Sequence, residues 1–302
     1  MSDQPLFADT DPQVETFLVQ RLRGLPPHRK WRMVQELNAS VRHLIWLGLK
    51  ARLAHADDVT LQRHLARQLL GEEIGEKVAR LRETQRSASM SIPEPLDVTL
   101  RVTQVLDDLN VPYFITGSLA SALYGIARTT LDADIVADLT EEHVRPLVEA
   151  LSGEFYIAEE AVRDAIRHRR SFNVIHLETM FKVDIFVSQK EGFDRSRLQR
   201  RVALAITGEE GPNAYFASLE DTILAKLAWY RKGGEISDRQ WQDVVGMVRV
   251  SGERLDMEYL RVWAKRLGVD ALLQQALDAA GMKGSVTPVE DTPTGPEHTA
   301  NG

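Results

Sequence analysis

The side chains in this sequence best suited to do chemistry are Asp132 and Asp134, in TLDADIVADL, and Asp184, in FKVDIFV. In an extended strand residues two apart share a face. Asp132 and Asp134 therefore project together, while Leu131, Ala133 and Ile135 point the other way, into a core. In the second stretch Phe181, Val183, Ile185 and Val187 alternate onto an apolar face, and Lys182, Asp184 and Phe186 take the opposite one. Neighbouring carboxylates repel one another unless they are solvated or share cations. Hard oxygen donors suit magnesium, which keeps several waters and completes its shell from substrate phosphates. If the two strands are neighbours, ~4.8 Å apart, the acids are spaced to share two ions ~3.5–4 Å apart, magnesium or, in its place, manganese.

A phosphate grip precedes the acids. Gly117-Ser118 falls where a short strand, Tyr113 to Thr116, turns into a helix expected over Leu119 to Tyr124. Glycine lets the backbone approach a phosphate, and the free N–H groups of the helix start, with the Ser118 hydroxyl, can donate to its oxygens. Phosphate grip and metal pair together describe phosphoryl-type transfer from a nucleotide, in which positioning and charge neutralisation supply most of the catalysis. Each part alone is weak. D-x-D is common, Gly-Ser after a strand is usually a turn, and Asp184 alone could be an exposed strand residue. Their order on the expected elements is what makes them specific.

The elements that must position these groups form three regions. Residues 1–85 read as all helix: Asp11-Pro12 opens one helix, Gly24 closes it, and Pro26-Pro27 opens a long second one. Along the second, Trp31, Val34, Leu37, Val41, Leu44, Ile45 and Leu49 make an amphipathic stripe. A third starts at Asp57 or Asp58. Residues 86–95, rich in Ser and Pro, read as a linker. Residues 96–205 read as an α/β catalytic domain: a helix capped by Asp97, the strands above, a helix from Thr140 to Gly153, a strand Phe155 to Ala158, a helix Glu159 to Arg169, and strands Phe172–Leu177 and Phe181–Val187. From 206 to 283 the chain reads as helical again, with caps at Ser218, Ser237, Asp256 and Asp270 and a stop at Gly233-Gly234. Residues 284–302 have almost no apolar side chains and read as a disordered tail. The expected fold class is thus α/β (α+β), a short mixed sheet flanked by helices between two helical regions.

Bulk properties narrow the classes. The 302 residues are 43% hydrophobic and 27% charged, a globular composition. There is no cysteine, so disulfides, thiolate zinc sites and Cys nucleophiles are excluded. No apolar run approaches the ~20 residues of a bilayer span, and MSDQPLFADTDPQ lacks the pattern of a secretory signal, so no membrane partner and a cytoplasmic location are expected. The net charge of −7 is uneven: residues 1–90 carry 14 Lys and Arg against 11 Asp and Glu, the rest 23 against 33. So acidic a chain is no general DNA coater. No helix-turn-helix is evident. His28, His43, His55 and His64 show no metal spacing.

These residues resemble the polymerase-β-like nucleotidyltransferase superfamily, whose pattern is Gly-Gly or Gly-Ser, then D-x-D or D-x-E, then a later acid on a strand. Here thirteen residues separate Gly117-Ser118 from Asp132-Ala133-Asp134, and Asp184 follows. Within it the chain looks most like the AbiEii/AbiGii-type enzymes of toxin–antitoxin systems, through Arg128 and Thr130 before the D-x-D and through SLEDTILAKLAWYRKGGEISDRQWQDV, where Lys226 and Asp243 match a helix lysine and the end of an R-x-x-x-D segment. Residues 1–85 fall outside the resemblance. It implies that Asp132 and Asp134 bind both ions, that Asp184 binds the catalytic one, and that Lys226 contacts triphosphate or base with Asp243 placing it. Lys226 could equally be an exposed helix residue, and Asp243 could pair with Arg239 four residues earlier. Lys182 could neutralise phosphate or screen Asp184; Arg128 could contact phosphate or brace the turn. The implied activity is magnesium-dependent transfer of a nucleoside monophosphate from a triphosphate, such as ATP, to a hydroxyl of tRNA or protein. The alternative is an inactive relative acting as antitoxin or scaffold. RNA could use Arg167-His168-Arg169-Arg170 or the basic run 195–201; residues 1–85 could bind an antitoxin, regulate the acidic cleft in cis, or self-associate.

Overall fold

The computed structural model describes residues 12–84, 95–189, 191–206, 208 and 213–282. The expected cap Asp11, the linker apart from Pro95, and the tail 284–302 lie outside them. Helix α1 (Pro12–Gly24) leads to α2 (Pro27–Arg52), which begins at the second of two prolines, where the missing N–H has no partner to lose. Asp57 caps α3 (Asp58–Leu70), its carboxylate accepting from the Thr60 N–H at 2.8 Å. Gly71, at φ +82°, ends α3, and α4 (Glu72–Thr84) turns back along it.

Among the described residues, buried apolar side chains of these helices join clusters shared with later parts of the chain. Val19 of α1 meets Val245 and Val250 near the far end of the chain. Trp31 and Val34 of α2 enter the main core. Ala66 of α3 and Val78 of α4 cover Ile175, Leu177 and Met180. The expected stripe on α2 is half correct: Trp31, Val34 and Leu49 are buried, but Leu37 and Leu44 are 40% and 66% exposed. The buried face instead runs through 31, 34 and 38, and so takes in a polar residue, Asn38.

The sheet is built from α5 (Pro95–Asp108), β1 (Tyr113–Thr116), α6 (Gly117–Tyr124), β2 (Asp132–Ala137), α7 (Val144–Leu151), β3 (Phe155–Tyr156), α8 (Glu159–His168), β4 (Ser171–His176), β5 (Lys182–Val187), α9 (Gly192–Arg200), β6 (Val202–Ala205) and β7 (Asn213–Phe216). Asp97 lies in the first turn of α5 rather than at its cap. Thr140 opens a 3-10 turn, Glu141–His143, that runs into α7. Among the described residues the strand order is β3-β4-β5-β2-β1-β7-β6. β2 runs parallel to β5 and β1 to β7; the other neighbours are antiparallel. β7 corrects the reading of helix from residue 206, and β6, unassigned from the sequence, pairs with it across the expected boundary at 205/206. β6 reads VALA, apolar throughout with none of it buried, so no alternation shows. On the core face of β2 and β5, Ala133, Ile135, Ala137, Val183, Ile185 and Val187 are buried. Leu131, expected among them, precedes β2 and is 52% exposed.

The remaining helices are α10 (Leu219–Lys232), α11 (Asp238–Ser251), α12 (Met257–Leu267) and α13 (Asp270–Ala279). Ser218, Ser237 and Asp256 cap the first three through their side-chain oxygens. Asp270 is the first residue of α13, with Val269 at the cap. Their own core gathers Ile223, Leu224, Leu227, Met247, Leu260 and Leu273. It is tied to the sheet domain at α6, where the Tyr124 hydroxyl donates to the Ala217 carbonyl at 2.7 Å. A side chain on Gly125 would come within 3.1 Å of Met247. This seat brings α10 and α11 over the end of β1. No helix among the described residues is long and apolar enough to cross a membrane.

Candidate active site

The register of the sheet places the acids. Asp134 of β2 lies opposite Asp184 of β5, and Asp132 opposite Lys182. Alternation puts all four on the face away from the core. The Lys182 ammonium lies 2.6 Å from Asp184 Oδ2 and 4.0 Å from Asp132 Oδ2. The Asn173 amide, opposite Asp184 on β4, donates to its other oxygen. With Asp184 held in this way, no three acidic or histidine side chains among the described residues come close enough to form a ready metal cage.

Their charges are nonetheless coupled. Burial pushes the Asp134 carboxyl up to about 6, and repulsion from Asp132 and Asp184 pushes in the same direction, against the pull of Lys182 and Lys226. Such a group gains from a nearby cation. The donors are hard oxygens on one face, and the cation beside them is the Lys182 ammonium. In donor type and charge the set fits magnesium, which needs only part of its shell from protein.

Gly117 is required by contact as well as by conformation. Its φ is +62°, and a Cβ there would lie 1.9 Å from Asp134 Oδ2. The backbone at the start of α6 therefore runs directly against the acid. Ser118 follows, its hydroxyl accepting from Arg128 Nη2 at 2.9 Å.

Arg128, Lys226 and Asp243 form one buried network. Arg128 grips Asp243 through two nitrogens, at 2.8 and 2.7 Å, and Lys226 Nζ lies 2.7 Å from Asp243 Oδ2. Burial pushes Asp243 up, but the Arg128 hydrogen bonds and the Lys226 charge outweigh it and hold its carboxyl below the usual range. Burial holds Lys226 below the usual lysine value, although Asp243 opposes the shift. Asp243 thus does not take Arg239 as its partner; Arg239 donates to the Thr129 carbonyl at 3.2 Å. Arg128 braces the turn to α11 rather than standing free for phosphate.

Thr130 donates to the Asp132 carbonyl at 2.9 Å and lies 3.1 Å from its carboxylate. Its N–H donates to Asn38 Oδ1 at 2.9 Å. Asn38 was not legible as a site residue, although a helical face at 31, 34 and 38 with one amide among apolar residues was a signal that could have found it.

A cleft of about 850 Å³ opens beside these groups, lined by Gly117, Ser118, Asp134 and Lys226, with Arg169, Arg170 and Trp229 farther out. Half of the first basic cluster therefore faces the cleft. The second is largely committed to structure. Arg197 is buried and stacks over Phe114 at 4.6 Å, Arg200 lies 3.8 Å over Tyr259 and pairs with Glu220, and Arg201 lies 4.6 Å over Tyr215.

No family model matches the chain, and no curated protein matches it. Among solved structures it is similar to an antigenic nucleotidyltransferase-like protein from Paracoccidioides brasiliensis, at 21% identity and a TM-score of 0.39, over 64% of this chain and 95% of that one. It is also similar to the antibiotic-resistance factor ANT(2'')-Ia, at 16% identity and a TM-score of 0.37, over 59% and 95%. These values are too low to carry a functional conclusion, which has to come from the geometry above.

Proposed function

We propose that the chain is a metal-dependent nucleotidyltransferase, moving a nucleoside monophosphate from a nucleoside triphosphate to an acceptor hydroxyl. The observation that carries this reading is the meeting of the glycine-led start of α6 with Asp134, which line one cleft together, and the register that sets Asp184 opposite Asp134 on the neighbouring strand. Asp132, Asp134 and Asp184 would hold magnesium, which when bound neutralises phosphate charge and polarises the reacting phosphorus. The chain's own groups do the rest. The Gly117 and Ser118 N–H groups and the Ser118 hydroxyl orient the phosphates. Lys226, fixed by Asp243 at 2.7 Å and lining the same cleft, would contact the phosphates from α10. Asp184, paired with Lys182 at 2.6 Å, would accept the proton of an attacking hydroxyl once that pair is broken. The acceptor, RNA end or protein side chain, and a role in a toxin–antitoxin pair are part of the proposal that the sequence resemblance motivates.

A second reading is a protein that binds nucleotide without turning it over. The observation in its favour is the Lys182–Asp184 ion pair, which occupies an acid the reaction needs. One experiment separates the two. The chain and Asp132→Ala are incubated with each of the four labelled triphosphates, magnesium, total RNA and lysate protein. Transfer of label to either pool by the wild type alone supports the enzyme. Tight, magnesium-dependent triphosphate binding with no transfer supports the second reading, and absence of binding sinks both.

A further inference from the structure

We infer that α2, which lies outside the region of family resemblance, is the positioning element of the acid site, and that Asn38 is the residue through which it sets Asp132. The inference rests on the metal-dependent reading above. Asn38 is 3% exposed, on the same helix face as Trp31 and Val34. Its carbonyl accepts from the Thr130 N–H at 2.9 Å, wholly inside the protein. Thr130 is itself 5% exposed, and its hydroxyl reaches both the carbonyl and the carboxylate of Asp132. The chain of contacts from helix to acid is thus two residues long, buried at the Asn38–Thr130 step and part-buried where Thr130 meets Asp132.

The cost of this arrangement argues that it is not mere packing. The Asn38 Nδ2 group is buried with no acceptor among the described residues. A leucine, branched in the same way, would carry no unmet donor, and an unmet buried donor is more expensive than an apolar group of the same shape. What leucine cannot do is accept from Thr130.

The rest of α2 is fixed around the same point. Arg42, one helical turn beyond Asn38, donates to the Thr179 carbonyl in the turn between β4 and β5. Asn38 and Arg42 therefore hold the incoming ends of both acid-bearing strands, because Asp132 at the start of β2 lies opposite Lys182 at the start of β5. Behind them Gln35 donates to Asp97 of α5 at 2.9 Å, and Trp31 packs edge-on against Phe216 of β7, ring centres 6.3 Å apart. One helix is tied to four parts of the sheet domain, and the tie nearest an acid is Asn38.

The test uses the full chain and manganese ion as the probe, its free concentration followed by electron paramagnetic resonance. Wild type, Asn38→Leu, Thr130→Val and their double variant are titrated, with Asp132→Ala as control. The expected result is that Asn38→Leu stays folded and binds manganese about 10–100-fold more weakly, the usual effect of removing a partner that orients a metal ligand. Its kcat should fall while KM for the triphosphate holds, since Gly117, Ser118 and Lys226 are untouched. The double variant should bind no more weakly than the worse single one, because both cut the same chain. Wild-type affinity in folded Asn38→Leu, with binding lost in Asp132→Ala, overturns the inference and leaves the function standing. If Asn38→Leu does not fold, wild-type affinity in Thr130→Val overturns it equally. Absence of binding in the wild type sinks both this inference and the metal-dependent reading.

Discussion

Replacing Asp134 with asparagine should make the metal-free protein more stable at neutral pH. The folded protein holds the Asp134 proton up to about pH 6, against an ordinary value of 3.8. Two units of raised pKa correspond to about 3 kcal/mol. The sign follows from proton binding. The native state binds this proton more tightly than the unfolded chain, so the group's contribution is fully present below about pH 4 and is lost as pH rises through about 6. Above that the ionised carboxylate is a net burden, driven first by burial and then by Asp132 and Asp184. Asparagine has nearly the same shape and no charge at any of these pH values. At about 1.5–2 °C per kcal/mol for a chain of 302 residues, Asp134→Asn should melt roughly 5 °C higher than wild type at pH 7.5 in EDTA. At pH 4.5 the two should lie close together. Added magnesium should raise the wild type, because a ligand bound only by the folded state stabilises it, and should raise Asp134→Asn far less. The measurement is thermal unfolding by circular dichroism at both pH values. A variant no more stable than wild type at pH 7.5, or one stabilised equally at both, refutes the account of Asp134 as a charge kept at a cost for its cation.

Two further substitutions probe the walls of the cleft. Gly117→Ala should abolish turnover and lower stability by about 1–3 kcal/mol in urea unfolding, because the new methyl meets Asp134 Oδ2 at 1.9 Å on a backbone at φ +62°; a variant with wild-type turnover would show that the helix start need not abut the acid. Asp243→Asn leaves Arg128 and Lys226 facing each other without their shared anion, so it should destabilise by about 3–5 kcal/mol and raise KM for the triphosphate; a rise in KM with stability unchanged would mean that the network serves the ligand and not the fold.

What the sequence disclosed and what it withheld divide along a physical line. The acids were legible because alternation is a local rule: Asp132, Asp134 and Asp184 could be assigned to faces of strands from their own neighbours, and helix caps at Ser218, Ser237 and Asp256 were legible for the same reason. β6 escaped because VALA is apolar throughout and none of it is buried, so there is no alternation to read. The pairing of Asp243 with Lys226 was legible only through the family resemblance, because the local alternative was Arg239, one helical turn away. The true geometry adds a third group, Arg128, 115 positions earlier. Pairings across such distances leave no periodicity to read.

The N-terminal helices show the same division at a larger scale. Their net positive charge and separate helical pattern suggested an independent module, yet Val19, Trp31 and Ala66 each belong to a different core cluster shared with the rest of the chain. Amphipathic periodicity reports that a helix has a face to bury and is silent on what covers it. The polar residue inside such a face is the exception. A buried amide must find a specific partner, so Asn38 among Trp31, Val34 and Leu49 carried more information about tertiary placement than the apolar residues around it. Its partner lies two residues from Asp132, so the helix that reads as least related to the chemistry lies in contact with the turn that positions it.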